Sequence, residues 1–422
     1  MAAPAADGGR LRCGAAHGAF AGRDDFLRGA VGVSARALIV YCGLLMSVSA
    51  FAVDITLPSF GAMVDALDTR YALVQWTITF YMVAAAFGQL LWGSASDRYG
   101  RRPVLAAGLS LFVAGCAVAA LAPSITVLLG ARAVQGFGAA AAIVSSRAII
   151  RDLYSGADLA RNLAFATAIF AVGPIVAPLA GAGIAALFGW RAIFAVLALF
   201  GVFLLAALTR FSETIPKLAP DALSPATYLR RTRRLVGHPQ ARHFLILSAV
   251  VMATMLLILA SAPRVYESEF GITGGLFALY FALHGTGIVI GQMVNRRLIA
   301  VAGIVPAMLV GNAVLILSAT LILATALAGL LTPWLLAAFF VLFATSYLVV
   351  YSNAAAMVLD PHGDIAGFSA SLYGFASQMG GALLVTALVV VTGEGVVAFA
   401  GTLLVICLAT MAMIAWWHWS RR

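Results

Sequence analysis

Between Ala37 and Val64 a single acidic side chain, Asp54, interrupts an otherwise uncharged apolar stretch, and apolar runs recur along the whole chain. "ALIVYCGLLMSVSAFAV" and "RAIFAVLALFGVFLLAAL" are two of them. Runs of about twenty residues are long enough to cross a hydrocarbon core of about 30 Å as a helix. Inside lipid no water satisfies the backbone, so only helices or closed barrels span it. Barrel strands show alternating segments of roughly ten residues, and these unbroken runs do not alternate. Composition agrees: 63% of residues are hydrophobic and 10% charged, against about a quarter charged in a soluble domain. The expected fold class is all-α, a multi-pass membrane protein.

Apolar windows and their breakers predict twelve transmembrane helices. In the first half they run over about 37–60, 71–93, 103–122, 125–149, 162–187 and 190–209. In the second they run over about 243–263, 274–295, 300–326, 331–352, 365–391 and 396–419. Between the halves lies "RFSETIPKLAPDALSPATYLRRTRRLVGHPQAR", polar, basic and containing prolines. The expected organisation is therefore a disordered tail at 1–34, a six-helix bundle at 35–209, a linker at 210–242 and a second bundle at 243–422. Two equal halves suggest a duplicated architecture with a substrate site where they meet.

Lysine and arginine resist translocation and so set orientation. With the N-terminus inside, 22 of the 26 fall on the cytoplasmic side: five in the tail, three after span 2, three after span 4, seven in the linker, two after span 8 and two at the C-terminus. Arg70, Arg191 and Arg264 fall outside, and Arg132 within a helix. Both termini are expected to be cytoplasmic, in a bacterial inner membrane. The net charge of +10 then reflects topology and contact with anionic lipid, not a nucleic-acid surface. Cys13, Cys42, Cys116 and Cys407 follow no metal or redox spacing, and no apolar leader precedes Val31.

After span 2 the chain reads "GSASDRYGRRPVL". Gly93, Asp97, Arg98, Gly100, Arg101 and Arg102 in this spacing resemble the signature loop of the major facilitator superfamily. Gly93 and Gly100 are expected to permit a tight turn, Asp97 to sit near a helix N-terminus, and the arginines to hold the loop inside. The resemblance implies a twelve-helix fold in which this loop latches the halves together on the inner side. "DITLPSF" at Asp54–Phe60, "RAVQGFGAAA" from Arg132, and "APLAGAGIAALFGWRAIF" resemble the Bcr/CflA group of drug:proton antiporters, as does "AGFSASLYGFASQMGGAL". Arg132, Gln135, Gly136 and Gly138 match the helix-4 motif. Pro174, Pro178 and Gly181 match the helix-5 motif, with Ala177 and Ala182 where glycines are usual. "GQMVNRRL" in the second half has Asn295 in place of the loop's acid.

An Asp at a helix centre costs roughly 2.5–3.5 kcal/mol to insert, and intramembrane acids commonly serve proton pathways. Asp54 lies about 9 Å in from the outer end of span 1, and Arg132 about 10 Å in from that of span 4. Equal depth suggests that protonating Asp54 weakens its attraction to Arg132 and frees the cavity to reorganise. The sequence leaves two structural roles open: Asp54 as a cap for a break before Pro58, and Arg132 as packing glue. His284 is the other intramembrane titratable group, expected to be packed and hydrogen-bonded; Glu267 and Glu269 lie near the outer end of span 7.

The second half has no charge deep in a helix, which predicts an apolar cavity wall with scattered amides and hydroxyls. The candidates are Gln75, Trp76, Tyr81, Tyr280, Asn353, Tyr373, Phe375 and Gln378, each of which could equally be ordinary helix packing. Such a lining suits amphipathic molecules. The expected function is proton-coupled export of small organic compounds by alternating access, by a monomer in lipid needing no cofactor or metal. Its cargo is either an antibiotic or a self-made metabolite such as a siderophore. Uptake on the same fold is the rival, disfavoured by Pro178 in an antiporter-like motif. An enzyme lacks its His, Asp or Glu cluster, an ATP-driven pump its phosphate loop, and a channel its filter sequence.

Overall fold

The computed structural model describes residues 34–420 apart from 155, 216, 393 and 394. The tail expected at 1–34 thus falls outside the described residues, Ser34 excepted. The described chain contains no strand. Its long helices are α1 (Ala35–Asp54), α2 (Tyr71–Tyr99), α3 (Arg101–Ala120), α4 (Ile125–Leu153), α5 (Gly156–Phe188), α6 (Trp190–Leu208), α7 (Pro239–Phe270), α8 (Gly274–Ala302), α9 (Ile304–Leu327), α10 (Pro333–Leu359), α11 (Ala366–Thr392) and α12 (Val396–Ser420). Among the described residues 11 helices are long and apolar enough to cross a membrane. The twelfth, α11, is 27 residues long and richer in glycine and serine. The fold is all-α, two bundles of six.

Two sequence expectations shift for backbone reasons. Span 1 does not run unbroken to residue 60. α1 stops at Asp54, a 3₁₀ turn covers Leu57–Ser59 with Pro58 at its start, and a short helix covers Phe60–Ala66. Pro58 has no N–H to give the preceding turn, so the break falls beside the one acid. Conversely, α2 outlasts its apolar window and ends at Tyr99. Hydropathy marks where lipid ends, whereas a helix continues into water until the backbone forbids it. Gly100, with φ 102° and ψ 162°, occupies a conformation that only glycine adopts readily. That one residue joins α2 to α3.

In the first bundle α2 and α3 pack on α4, and α1 packs on α5; in the second α8 packs on α10, α7 on α11 and α9 on α12. The bundles meet along α5–α8 and α2–α11. The polar connection between them is itself partly helical, Pro225–Gly237, and Tyr228 on it donates a hydrogen bond to the Leu90 carbonyl of α2. This side of the molecule is called the linker end below, and the opposite side the far end. At the far end Gln75 of α2 donates to the Ala260 carbonyl of α7 at 2.5 Å. The Arg264 guanidinium lies 5.2 Å from the Tyr71 ring centre. A cavity of about 10 Å³ walled by Leu57, Phe60, Glu267 and Phe277 has room for about one water. The far end is closed.

Arg147, counted by sequence with the flank of span 4, lies inside α4, six residues before its end at Leu153. The charge count had grouped it with the segment after span 4 although it lies within that span, and it belongs to the helix rather than to a loop.

Candidate functional site

Asp54 is 6% exposed and Arg132 1%. Arg132 Nη1 donates to the Ala52 carbonyl at 2.9 Å and to Gln135 Oε1, and its Nε donates to the Thr77 carbonyl at 3.4 Å. The guanidinium lies over the Tyr81 ring, 4.5 Å from its centre. One arginine therefore staples α1, α2 and α4. It is not ion-paired with Asp54, although its partner Ala52 is only two residues away. Its Nη2 is buried with no hydrogen-bond partner. Arg132 thus keeps one free donor, and Asp54, two residues beyond Ala52, is a buried acid without an ion pair.

Backbone contact holds this staple. A methyl group on Gly136 would overlap the Tyr81 carbonyl, so glycine is what lets α4 approach α2. Gly138 meets the Gly108 carbonyl of α3 in the same way. Gln135 accepts from Arg132 and donates to Cys116 Sγ at 2.9 Å. Pro174 and Pro178 both lie within continuous α5. Gly181 sits against the Ile55 carbonyl, just past the α1 break, while Pro174 and Ile175 sit against Gly285 of α8. α5 thus connects the broken turn beside Asp54 to the second bundle.

The signature segment differs from its expected form. Residues 93–99 are the last turns of α2, so Gly93 does not turn the chain; it accommodates Ser371 of α11. Asp97 is not at a helix N-terminus either. It stands in the last turn of α2, where the dipole disfavours an anion, and is compensated by Arg101 at 2.7 Å. Arg101 is 4% exposed and not a solvated flank: its Nε donates to Asp152 Oδ2 at 2.8 Å and its Nη1 to Ser96 Oγ at 3.1 Å. The acid at the N-terminus of α3 is Glu213, which accepts from the N–H of Arg101 at 2.9 Å and of Arg102 at 3.0 Å. Burial opposes ionisation of Glu213. The backbone donors of Arg102, Arg101, Ile215 and Thr214 outweigh it and hold the carboxyl below its ordinary value. Arg98 lies over the Tyr99 ring.

The candidate cavity residues scatter. Tyr81 is fully buried beneath Arg132, its hydroxyl donating to Ser49 Oγ at 3.2 Å. Gln75 closes the far end. Trp76 is exposed and neighbours Phe80, centres 6.2 Å apart. Tyr280 stacks on Tyr266 and meets Trp334. Asn353 donates to Asn295 Oδ1 at 2.9 Å, and Asn295 in turn donates to Ser352 Oγ at 3.1 Å; an amide network links α8 to α10 here. Phe375 meets Phe87 across the α2–α11 seam at 5.4 Å, Tyr373 packs on Tyr351, and Gln378 Oε1 is buried without a partner. His284 is packed as expected, stacked on Phe281. Contrary to the expected hydrogen bond, its Nε2 makes none.

The family model for the Major Facilitator Superfamily matches residues 42–385. The chain belongs to the major facilitator superfamily. This facilitator is 30% identical over 348 residues to a bicyclomycin resistance protein homolog of Haemophilus influenzae, across 82% of this chain and 87% of that one. It is 31% identical over 316 residues to a chloramphenicol resistance protein of Pseudomonas aeruginosa, across 75% and 73%. The xylose transporter XylE of E. coli, in a partially occluded inward-open conformation, matches at TM-score 0.71 over 90% of this chain and 95% of that one. At 13% identity that likeness shows the fold. As a superfamily member the chain is a multi-pass membrane transporter.

In this facilitator, sequence reasoning missed Asp152 and Glu213. Asp152 directly follows Arg151 at the end of α4, and Glu213 sits in "SETI"; neither was singled out from the sequence. An acid three or four residues beyond the end of an apolar span, in a chain with a conspicuously basic segment, was the available signal.

Proposed function

We propose that this chain exports small organic compounds in exchange for protons, by alternating access of the two bundles (35–209 and 243–422) about the 210–242 linker. Asp54 carries the reading: an unpaired acid at the break in α1, two residues beyond the carbonyl held by an arginine with one donor unspent. Proton release would leave a carboxylate able to accept from Arg132 Nη2. A stable arrangement of buried opposite charges needs such direct, hydrogen-bonded pairing. Capturing the guanidinium would draw it from the Ala52 and Thr77 carbonyls and loosen the α1–α2–α4 staple. Protonation would return the arrangement described here.

Gly181 and the prolines of α5 would carry that change from Ile55 to α8. The segment Gly93–Arg102, with Asp152 and Glu213, would act as the latch at the linker end, and the lysine and arginine distribution supports a cytoplasmic position for that end. The cavity between bundles would be lined by Tyr373, Phe375, Gln378 and Asn353 from one side and by Trp76 and Gln75 from the other. The resistance proteins among its relatives support export of drug-like cargo across a bacterial inner membrane, and we propose that a single chain suffices for it.

The test is transport in inverted vesicles carrying wild type or Asp54→Asn, with a pH jump as the driving force and a panel of amphipathic compounds. Asp54→Asn should bind cargo yet lose proton-driven accumulation. If it accumulates cargo like wild type, the coupling role is wrong.

A further inference from the structure

Arg101, Arg132 and Arg147 all lie in helices of the first bundle, and the first two have partners among the described residues. Arg132 spends its donors on carbonyls and Gln135, and Arg101 on Asp97, Asp152 and Ser96. Arg147 makes no hydrogen bond or ion pair with any described residue. It sits about 9 Å, six residues at 1.5 Å each, from the linker end of α4. A charge at that depth is costly unless it meets water or a counter-charge.

Its surroundings are specific. Arg147 is an exposed residue on the face of α4 that carries Val144, which with Ser371 of α11 borders Gly93, and Arg151, which borders Gly367 of α11; Tyr351 and Tyr373 of the opposite bundle lie within its electrostatic range. Those hydroxyls are occupied: Tyr373 donates to the Tyr351 carbonyl at 2.8 Å, and the Tyr351 hydroxyl lies 3.1 Å from Ser377 Oγ. The two rings lie 5.4 Å apart, and Tyr347 stacks on Tyr351 at the same distance. Tyr351 and Tyr373 thus stand near a cation that neither of them neutralises. One turn nearer the end of α4, Arg151 lies against Gly367 of α11, which adds positive charge at the mouth of the same seam.

We propose that Arg147, with Tyr351 and Tyr373, is the docking site for an anionic group on the transported compound, whose aromatic body lies on the tyrosine rings. This rests on the exporter reading and narrows it to amphipathic aromatic acids. A free guanidinium fork fits a carboxylate or phosphate with two parallel hydrogen bonds, and tyrosine offers flat apolar area beside it. The location favours cargo over a lipid headgroup. α4 packs on α1, α2 and α3 of its own bundle, and Arg147 looks across the interface at α10 and α11.

Binding of naphthalene-2-carboxylate and of its neutral amide is measured on the purified full chain in phosphatidylcholine nanodiscs. Wild type should bind the acid at least tenfold more tightly than the amide. Arg147→Gln should bring that ratio to about one, and Arg147→Lys should retain part of it. No acid preference in wild type, or an undiminished one in Arg147→Gln, overturns the proposal. The measurement is repeated in phosphatidylglycerol nanodiscs. Loss of the wild-type preference there would assign Arg147 to a lipid phosphate and overturn its assignment to cargo. Export itself is tested separately, by pH-driven transport of naphthalene-2-carboxylate in wild-type vesicles against protein-free vesicles. If that fails, the exporter reading falls, while the acid-to-amide ratio still decides the role of Arg147.

Discussion

Glu213→Gln isolates one acid whose geometry is fully specified. Its carboxylate accepts from the N–H groups of Arg101 and Arg102 in the first turn of α3, and from those of Thr214 and Ile215 in its own loop. The amide keeps the shape and one acceptor oxygen but loses the charge. An anion at an exposed helix N-terminus contributes about 0.3–1 kcal/mol, and removing an N-terminal side-chain cap costs about 1 kcal/mol. The side chain is exposed, so solvent screens it, and a total near 1 kcal/mol is expected. In a domain of 150–250 residues 1 kcal/mol shifts Tm by about 2–4 °C, so the shift here should be about 1–3 °C.

The pH dependence fixes the cause. Because folding lowers the Glu213 pKa, its stabilisation is present above the unfolded carboxyl value, about 4.3. It is lost as pH falls through the lower folded value. Thermal unfolding of both proteins, followed by intrinsic fluorescence in nanodiscs, should show a constant gap from pH 7 to pH 5 that narrows steadily below about pH 4. Equal melting at pH 7, or a gap that persists at acid pH, would refute capping of α3 by Glu213.

Two further outcomes follow from close contacts. Gly136→Ala places a methyl on the Tyr81 carbonyl; backbone cannot swing aside, so α2 and α4 must separate at a cost of about 1–3 kcal/mol. A variant that melts with wild type would show that the helices are less tightly apposed. Arg101→Lys keeps the charge but loses the fork that reaches Asp97, Asp152 and Ser96 together, and should destabilise by about 1–3 kcal/mol. Matching melting curves for Arg101→Lys and wild type would deny the fork its role.

The amino-acid sequence alone determined the solvent of this protein and the number of its spans. Burying so much apolar side chain needs lipid, and lipid admits only helices of nearly fixed length. Asp54, Arg132 and the basic segment at 97–102 stood out because charge is rare in such a chain. Tertiary structure decided what those charges touch. Asp54 and Arg132 share a depth, yet the guanidinium chose the Ala52 and Thr77 carbonyls, because glycine at 136 brings α2 within reach. Asp97 turned out to face Arg101 rather than a helix end, since α2 ran on to Gly100. Arg147 passed for a topology signal until α10 and α11 placed tyrosines opposite it. Period and hydropathy are properties of neighbours along the chain, whereas partners are set by which helices cross and how closely, and those distances depend on residues far apart in order.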